Sequence, residues 1–291
     1  MGTADPVAGD RLRAGHGGLG ALLGVVCAAQ FMVVLDVSVV NVALPSIRDG
    51  LGFSETALQW VVNAYALTFA GLLLFGGRLA DLFGRRRVFL AGLGVFTAAS
   101  LAGGLATSAG VLVAARVVQG AGAAVLAPAT LTILTASVGE GPRQTRALAA
   151  WTAVGLAGGT AGNLLGGVLT EFLTWRSTLL INVPVGMLAA IAAVRSIPRD
   201  ADREAIVRVD VAGAVLATAG LGASAFGIAQ AAPSGWTAPP TLSGIGAGLV
   251  LLTGFVVVEA RCAAVPLIPL RLLQIRSVSA GNVVMCLAGR A

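Results

Sequence analysis

The sequence predicts an all-α membrane protein that crosses the bilayer several times. Of its 291 residues, 57% are hydrophobic and only 11% are charged, whereas a soluble domain carries about 25% charged residues. The mean hydropathy is +0.91, and several apolar runs reach the ~20 residues that a helix needs to cross a bilayer. This composition excludes disordered, collagen-like and disulfide-stapled proteins.

Eight apolar runs are long enough to span the membrane. They include Asp36 in the first run and Arg116 in the fourth, and they cover residues 19–44, 58–77, 88–106, 110–136, 147–170, 177–194, 211–230 and 242–258. A ninth run, residues 277–289, is too short to span. Arg11 and Arg13 precede the first run as in a signal peptide. That run is longer than a signal-peptide core and has no convincing cleavage site, so we expect an uncleaved first span.

The basic residues indicate which side of the membrane each loop faces. All 19 of them are Arg. With the N-terminus in the cytoplasm, fifteen Arg fall on the inner side and only Arg48 and Arg176 fall in outer loops. Because cytoplasmic loops are enriched in basic residues, this bias predicts a cytoplasmic N-terminus and supports the eight-span count. We interpret the Arg residues as topology signals and expect no nucleic-acid partner.

Charge also divides the chain into five parts. The densest cluster of Arg and acidic residues follows the sixth span and separates six spans from two. The predicted parts are a cytoplasmic tail at 1–18, a six-span bundle at 19–194, a cytoplasmic linker at 195–210, two further spans at 211–258, and a loop with an incomplete ninth span at 259–291.

The residue types exclude several kinds of chemistry. Without Lys there is no Walker A lysine and no Schiff-base lysine. His16 is the only histidine, which is too few for a His-rich metal site or a convincing catalytic triad. Cys27, Cys262 and Cys286 are odd in number and unevenly spaced, which favours buried thiols over disulfides. We therefore expect neither an enzyme nor a bound cofactor or metal.

Two charged residues lie well inside predicted spans. Asp36 is ~12 Å from the outer end of the first run, and Arg116 is ~9 Å from the outer start of the fourth, at ~1.5 Å per residue. Because a charge in the membrane is costly, both residues are candidate functional residues. We hypothesise that they face a common polar cavity, where Arg116 would stabilise the charged form of Asp36. The alternative is a static ion pair that holds two helices together.

The fifth span is rich in glycine at helical spacing. Small residues four positions apart let two helices approach closely, and this span contains the pairs 155/159, 158/162 and 162/166. The pattern is equally compatible with ordinary helix packing and with a moving contact between two halves of a transporter.

A tight inner loop is predicted between the second and third spans, over residues 77–87, GRLADLFGRRR. Asp81 could cap or face the start of the third helix, and Arg85 to Arg87 would meet anionic lipid. A simple basic anchor would explain the Arg triplet, but it would not explain the Gly and Asp residues around it.

Several of these segments together resemble the major facilitator superfamily. Residues 77–87 resemble its motif A, residues 112–124 (LVAARVVQGAGAA) its motif B, and residues 35–45 (LDVSVVNVALP) the first-span motif of its 14-span drug:proton antiporter branch. Residues 59–65, and Trp175-Arg176 followed by residues 182–184, are also typical of that branch. The resemblance runs from about residue 20 to 285, with the motifs in the expected order.

The resemblance implies a fold and a function. The first six spans would form the family's N-terminal bundle of two three-helix inverted repeats, spans seven and eight would link it to a second bundle, and the ninth span is truncated. Export of a small lipophilic or cationic compound would be driven by inward proton flow, without a cofactor, in a bacterial plasma membrane. By this resemblance the proton-coupling and cavity residues are Asp36, Arg116 and Asn41, the cytoplasmic gate is Gly77, Asp81, Gly84, Arg85 and Arg86, and the antiporter motif C is Gly158, Gly162, Gly166 and Gly167.

Two departures from the family pattern leave an alternative open. Motif C usually has Gly-Pro where this chain has Gly162-Asn163, which puts the usual helix bend in doubt. Spans ten to fourteen are absent. The alternative is therefore a non-transporting membrane protein, or a half-transporter that needs another bundle. A second copy could supply that cover through the fifth-span glycines.

Overall fold

The architecture is a bundle of long α-helices. The structure, a computed structural model, describes residues 6–199 and 211–261. The helices within these ranges are α1 (Pro6–Leu51), α2 (Glu55–Phe83), α3 (Arg85–Gly104), α4 (Ala109–Ser137), α5 (Pro142–Phe172), α6 (Trp175–Leu180), α7 (Asn182–Ser196), α8 (Val211–Ser234) and α9 (Pro239–Arg261). No strand occurs in the described part of the chain.

The helices coincide with the predicted spans. Among the described residues, seven helical segments are long and apolar enough to cross a membrane. The seventh predicted span, residues 211–230, corresponds to α8, whose apolar part, Val215–Ala231, is shorter. The sixth predicted span is split into α6 and α7 at Ile181. The predicted linker lies largely outside the described residues, and the incomplete ninth span lies entirely outside them.

Local sequence explains where several helices begin and end. The Ser54 and Ser108 hydroxyls accept hydrogen bonds from the first turns of α2 and α4, which satisfies backbone N–H groups that have no helical partner. Gly52 has a positive φ of 68° just after α1, a conformation that glycine adopts at low cost. These caps and turns set the short connections on which the antiparallel bundle depends.

The prediction of a tight inner loop at residues 77–87 is wrong. Helix α2 continues to Phe83 and α3 starts at Arg85, so that Gly84 alone separates them. Gly84 has φ 89° and ψ 143°, which a side chain would disfavour. Both helices extend beyond the apolar run, because a helix satisfies its own backbone hydrogen bonds in water as well as in lipid.

Helix packing forms two apolar layers that meet along α1. Helix α1 packs mainly on α5, α4 packs on α2 and α3, and α8 packs on α9 and α2. One layer surrounds Val26, Met32 and Phe96. The other surrounds Val39 and Leu179. Asp36 lies on α1 close to the boundary of the two layers, since Val33 belongs to the first and Leu35 to the second, and it is fully buried.

Candidate functional site

The centre of the bundle contains an ion pair between α1 and α4. Arg116 Nη1 donates a hydrogen bond to Asp36 Oδ2 at 2.6 Å. The Arg116 side chain is 2% exposed and the Asp36 side chain is 0% exposed. The structure thus brings together the two charged residues that were predicted to share a depth. Neither side chain faces an open cavity in this arrangement, because the two apolar layers enclose the pair.

The Arg116 guanidinium has three further contacts. Its Nε donates to the Val61 carbonyl at 3.1 Å, and an Nη1 donates to Gln119 Oε1 at 2.8 Å. Its central carbon lies 4.3 Å from the centroid of the Tyr65 ring, in the range of a cation–π contact. The guanidinium is therefore held by the backbone and a ring of α2 as well as by Asp36.

The second oxygen of Asp36 is bound by two amides. Gln119 Nε2 and Asn182 Nδ2 donate to Oδ1 at 2.8 and 2.7 Å. Both amides also donate to the Ser100 hydroxyl, at 2.6 and 3.1 Å. We call Asp36, Ser100, Arg116, Gln119 and Asn182 the buried polar cluster. It joins α1, α3, α4 and α7, and charged hydrogen bonds of this kind are stronger than neutral ones.

Proline places Asn182 at the start of α7. Pro184 has no backbone N–H, so the carbonyl four residues earlier, on Leu180, has no helical donor. Leu180 is the last residue of α6, and α7 begins at Asn182. The interruption therefore falls where the Asn182 side chain enters the buried polar cluster.

Sequence reasoning did not assign Ser100, Gln119, Asn182 or Tyr65 to the site. One signal could have found Gln119, because a residue three positions after Arg116 shares its helix face. A second signal was the presence of uncharged polar residues inside apolar spans. Two atoms of this region, the Tyr65 hydroxyl and Asn182 Oδ1, are buried without a hydrogen-bond partner.

Asn41 does not join the buried polar cluster. Its side chain is exposed, and its Nδ2 donates to the carbonyl of Val37 on the same helix, at 2.9 Å. The structure therefore places this predicted cavity residue on the outside of the described bundle.

The predicted gate residues surround the junction of α2 and α3. Arg86 Nη2 donates to the Val194 carbonyl near the end of α7, at 2.7 Å. Arg85 begins α3 and, like Arg86, makes further interactions. The side chain of Asp81 lies outside the described residues. A Cβ on Gly77 would lie 3.8 Å from Pro128 Cβ, which is an ordinary van der Waals contact. A Cβ on Gly76 would overlap the Ala124 carbonyl oxygen. The close packing of α2 on α4 therefore requires glycine at position 76 and not at position 77.

Three of the four motif C glycines form the contact between α5 and α1. A Cβ on Gly158 would lie 2.8 Å from the Phe31 carbonyl oxygen, one on Gly162 2.7 Å from the Leu35 oxygen, and one on Gly166 2.8 Å from Val42 Cβ. A Cβ on Gly167 would have nothing within 4 Å. The expectation that a second copy could pack on the fifth-span glycines is wrong for Gly158, Gly162 and Gly166. Helix α1 of the same chain already occupies the face on which these three glycines lie. Helix α5 continues through Asn163, whose side chain is exposed.

The fold and the site define a multi-pass membrane protein built around a buried ion pair. Within the described residues, no group of three or more His, Cys, Asp or Glu side chains could hold a metal ion. The chain belongs to the Major Facilitator Superfamily, whose family model matches residues 26–259.

Similar proteins agree with this assignment. The chain is 58% identical over 264 residues to the cephamycin export protein CmcT of Amycolatopsis lactamdurans, covering 90% of this chain and 54% of that protein. It is 45% identical over 247 residues to the puromycin resistance protein pur8 of Streptomyces alboniger, covering 85% and 48%. The chain thus spans about half the length of these curated relatives. A peptide transporter POT crystal structure shares the fold, with a TM-score of 0.61 at 18% identity over 84% of this chain and 52% of that one.

Proposed function

We propose that this chain supplies the proton-coupled bundle of an exporter for small antibiotic-like compounds. The observation that carries the proposal is the buried contact between Asp36 and Arg116, at 2.6 Å. Ionisable groups within a membrane commonly mark proton and ion pathways. The names of two relatives, which refer to cephamycin export and puromycin resistance, support an exporter rather than an enzyme.

Binding of one proton to Asp36 would change the charge of the whole buried polar cluster. In the described arrangement the carboxylate accepts hydrogen bonds from Arg116, Gln119 and Asn182 and balances the guanidinium. Protonation would leave Arg116 without a counter-charge at a site where it is 2% exposed. A buried charge without a partner costs several kcal/mol. The cluster would therefore exchange partners or open to water, and α1 and α4 would move with it.

Asn182 offers the protonated acid a new partner. A protonated carboxyl group is a hydrogen-bond donor, and an amide oxygen is an acceptor. Asn182 Oδ1 is buried and has no partner in the described arrangement, while Asn182 Nδ2 already contacts Asp36. Rotation of the amide would turn this contact from donor to acceptor. The buried polar cluster would then have two alternative arrangements, which is the kind of two-state element that alternating access needs.

The energy source and topology follow from the same proposal. The proton gradient would drive export, and no cofactor would be needed. Substrates would be small lipophilic or cationic compounds, which would reach a cavity between this bundle and a second one. The protein would lie in a bacterial plasma membrane with its N-terminus in the cytoplasm, as the Arg distribution predicts.

The proposal is tested by dye export from bacterial cells that express the chain. Cells are loaded with a fluorescent lipophilic cation, and its loss is followed with and without a protonophore. We expect export above the empty vector, abolished by the protonophore and by Asp36→Asn. The matched control is Asp49→Asn, which removes a carboxylate from the exposed end of the same helix and should leave export unchanged.

Two outcomes would contradict the proposal. Export equal to that of the empty vector, in membranes where immunoblotting shows the chain inserted, would favour a non-transporting protein. Export that persists in Asp36→Asn would show that this carboxylate does not carry the proton. In that case the buried ion pair would be a static link between α1 and α4.

A further inference from the structure

An apolar groove opens on the outside of the bundle near the Arg-rich start of α3. Its volume is about 350 Å³, and it lies between α2, α3 and α4. Leu79 and Phe83 form its wall on α2, Val95 and Val125 line it further along, and Arg87 stands at one end. The groove is separate from the buried polar cluster, none of whose residues lines it.

Small residues create the floor of this groove. Ala91, Gly92 and Gly122 line it where α3 and α4 approach each other closely. A Cβ on Gly122 would come within 2.6 Å of the Phe96 backbone nitrogen. The walls stand outward from this floor, since Phe83 is 62% exposed and Val95 is 41% exposed. The lining of the groove is therefore almost wholly apolar, which suits a hydrocarbon chain.

The charge at the end of the groove is positive. Arg87 is exposed, and in the described ranges no carboxylate forms an ion pair with it. Its neighbour Arg86 is instead bound to the Val194 carbonyl. Arg87 and Val95 are eight residues apart on α3, so their backbone positions are separated by ~12 Å along the helix axis, and the groove extends over this length of α3.

We propose that this groove binds one anionic phospholipid. The phosphate would pair with the Arg87 guanidinium, and one acyl chain would lie along Ala91 and Val95 between α2 and α4. Arginine suits this role because its planar group binds phosphate oxygens in pairs. Basic pockets beside transmembrane helices recognise anionic headgroups, and the apolar groove offers packing contacts to one acyl chain. An anionic lipid fits better than a zwitterionic one, because its headgroup carries no positive charge to repel Arg87.

The test is retention of added lipid by the purified chain of residues 1–291. Delipidated protein in detergent is titrated with phosphatidylglycerol or with phosphatidylcholine of the same acyl chains. Bound lipid is counted by native mass spectrometry, and thermal unfolding is recorded in parallel. For the unchanged chain we expect phosphatidylglycerol to bind several-fold more tightly. Arg87→Gln should weaken phosphatidylglycerol binding about fivefold, which corresponds to about 1 kcal/mol per basic residue, and should leave phosphatidylcholine binding unchanged.

Three further measurements distinguish lipid binding in this groove from nonspecific binding elsewhere on the protein surface. Arg143→Gln removes an exposed Arg at the start of α5, outside the groove, and should behave as the unchanged chain. Ala91→Phe should fill the groove from an exposed position and weaken both lipids. Glycerol phosphate, which has the headgroup charge without the acyl chain, should neither bind nor raise the unfolding temperature.

Several results would overturn the proposal. These are equal binding of the two lipids, an equal loss in Arg87→Gln and Arg143→Gln, or binding of glycerol phosphate alone. If Ala91→Phe proves unstable without lipid, the comparison between the two Arg variants decides the question. Because none of these measurements needs transport, a failed lipid site and a failed exporter would be told apart.

Discussion

Removing one charge from the buried ion pair should destabilise the bundle more than removing both. Arg116→Gln leaves Asp36 with its two amide donors, but it removes the guanidinium from Oδ2 and leaves the negative charge uncompensated at 0% exposure. Asp36→Asn leaves Arg116 charged and 2% exposed. Breaking a buried pair from one side typically costs 3–5 kcal/mol, so we expect about 3–5 kcal/mol of lost stability in each single variant.

The double variant, Asp36→Asn with Arg116→Gln, should be no less stable than either single variant. It keeps polar side chains at both positions and removes both charges, so no ion is left buried without a partner. The departure from additivity should then be at least about 3 kcal/mol. The assay is the free energy of unfolding of the purified chain in mixed micelles, followed by tryptophan fluorescence during denaturant titration. Dye export should be lost in all three variants.

An exposed pair at the end of α1 provides the control. Arg48 and Asp49 form an ion pair at 3.1 Å with side chains 44% and 72% exposed. Solvent-exposed pairs contribute little, so neutralising either residue should change stability by less than about 1 kcal/mol. The reasoning would be refuted if the two variants at the buried pair were simply additive, or if they cost no more than the variants at Arg48 and Asp49.

Two other changes test how the helices and the buried polar cluster are held together. Gly162→Ala should lower stability by about 1–3 kcal/mol relative to Gly167→Ala, because only the first places a methyl group 2.7 Å from the Leu35 carbonyl oxygen; equal unfolding midpoints would disprove this reading of the α1–α5 contact. Asn182→Ala should cost about 1–3 kcal/mol, since it removes one of the donors to Asp36 Oδ1. It should also reduce dye export, and unchanged export would show that the amide serves packing alone.

The sequence determined the membrane class and the positions of the spans. Long apolar runs and the high cost of burying backbone groups in lipid leave helices as the only solution for such segments. Asp36 and Arg116 could be singled out for the same reason, because a charge in hydrocarbon is too costly to occur without a partner. Their similar depth predicted that they share a layer of the bundle, but it left open whether they face a common cavity or form a static ion pair. The inner loop at residues 77–87 could not be judged in this way, because hydropathy reports where a helix leaves the lipid and does not report where the helix ends.

Only the tertiary structure decided the partners of the ion pair and the use of the glycines. Gln119, Asn182 and Ser100 are uncharged, so they are tolerated at many positions in a span, and their meeting at Asp36 depends on how four helices rotate and pack. Likewise, glycine spacing predicts a close helix contact without naming the second helix. It is α1 that fills the face of Gly162, while Gly167 remains open. A charged side chain in lipid costs so much free energy that the sequence alone identifies it as a residue that needs a partner. Uncharged polar side chains and glycines cost much less, so their partners are known only once the packing of the helices is known.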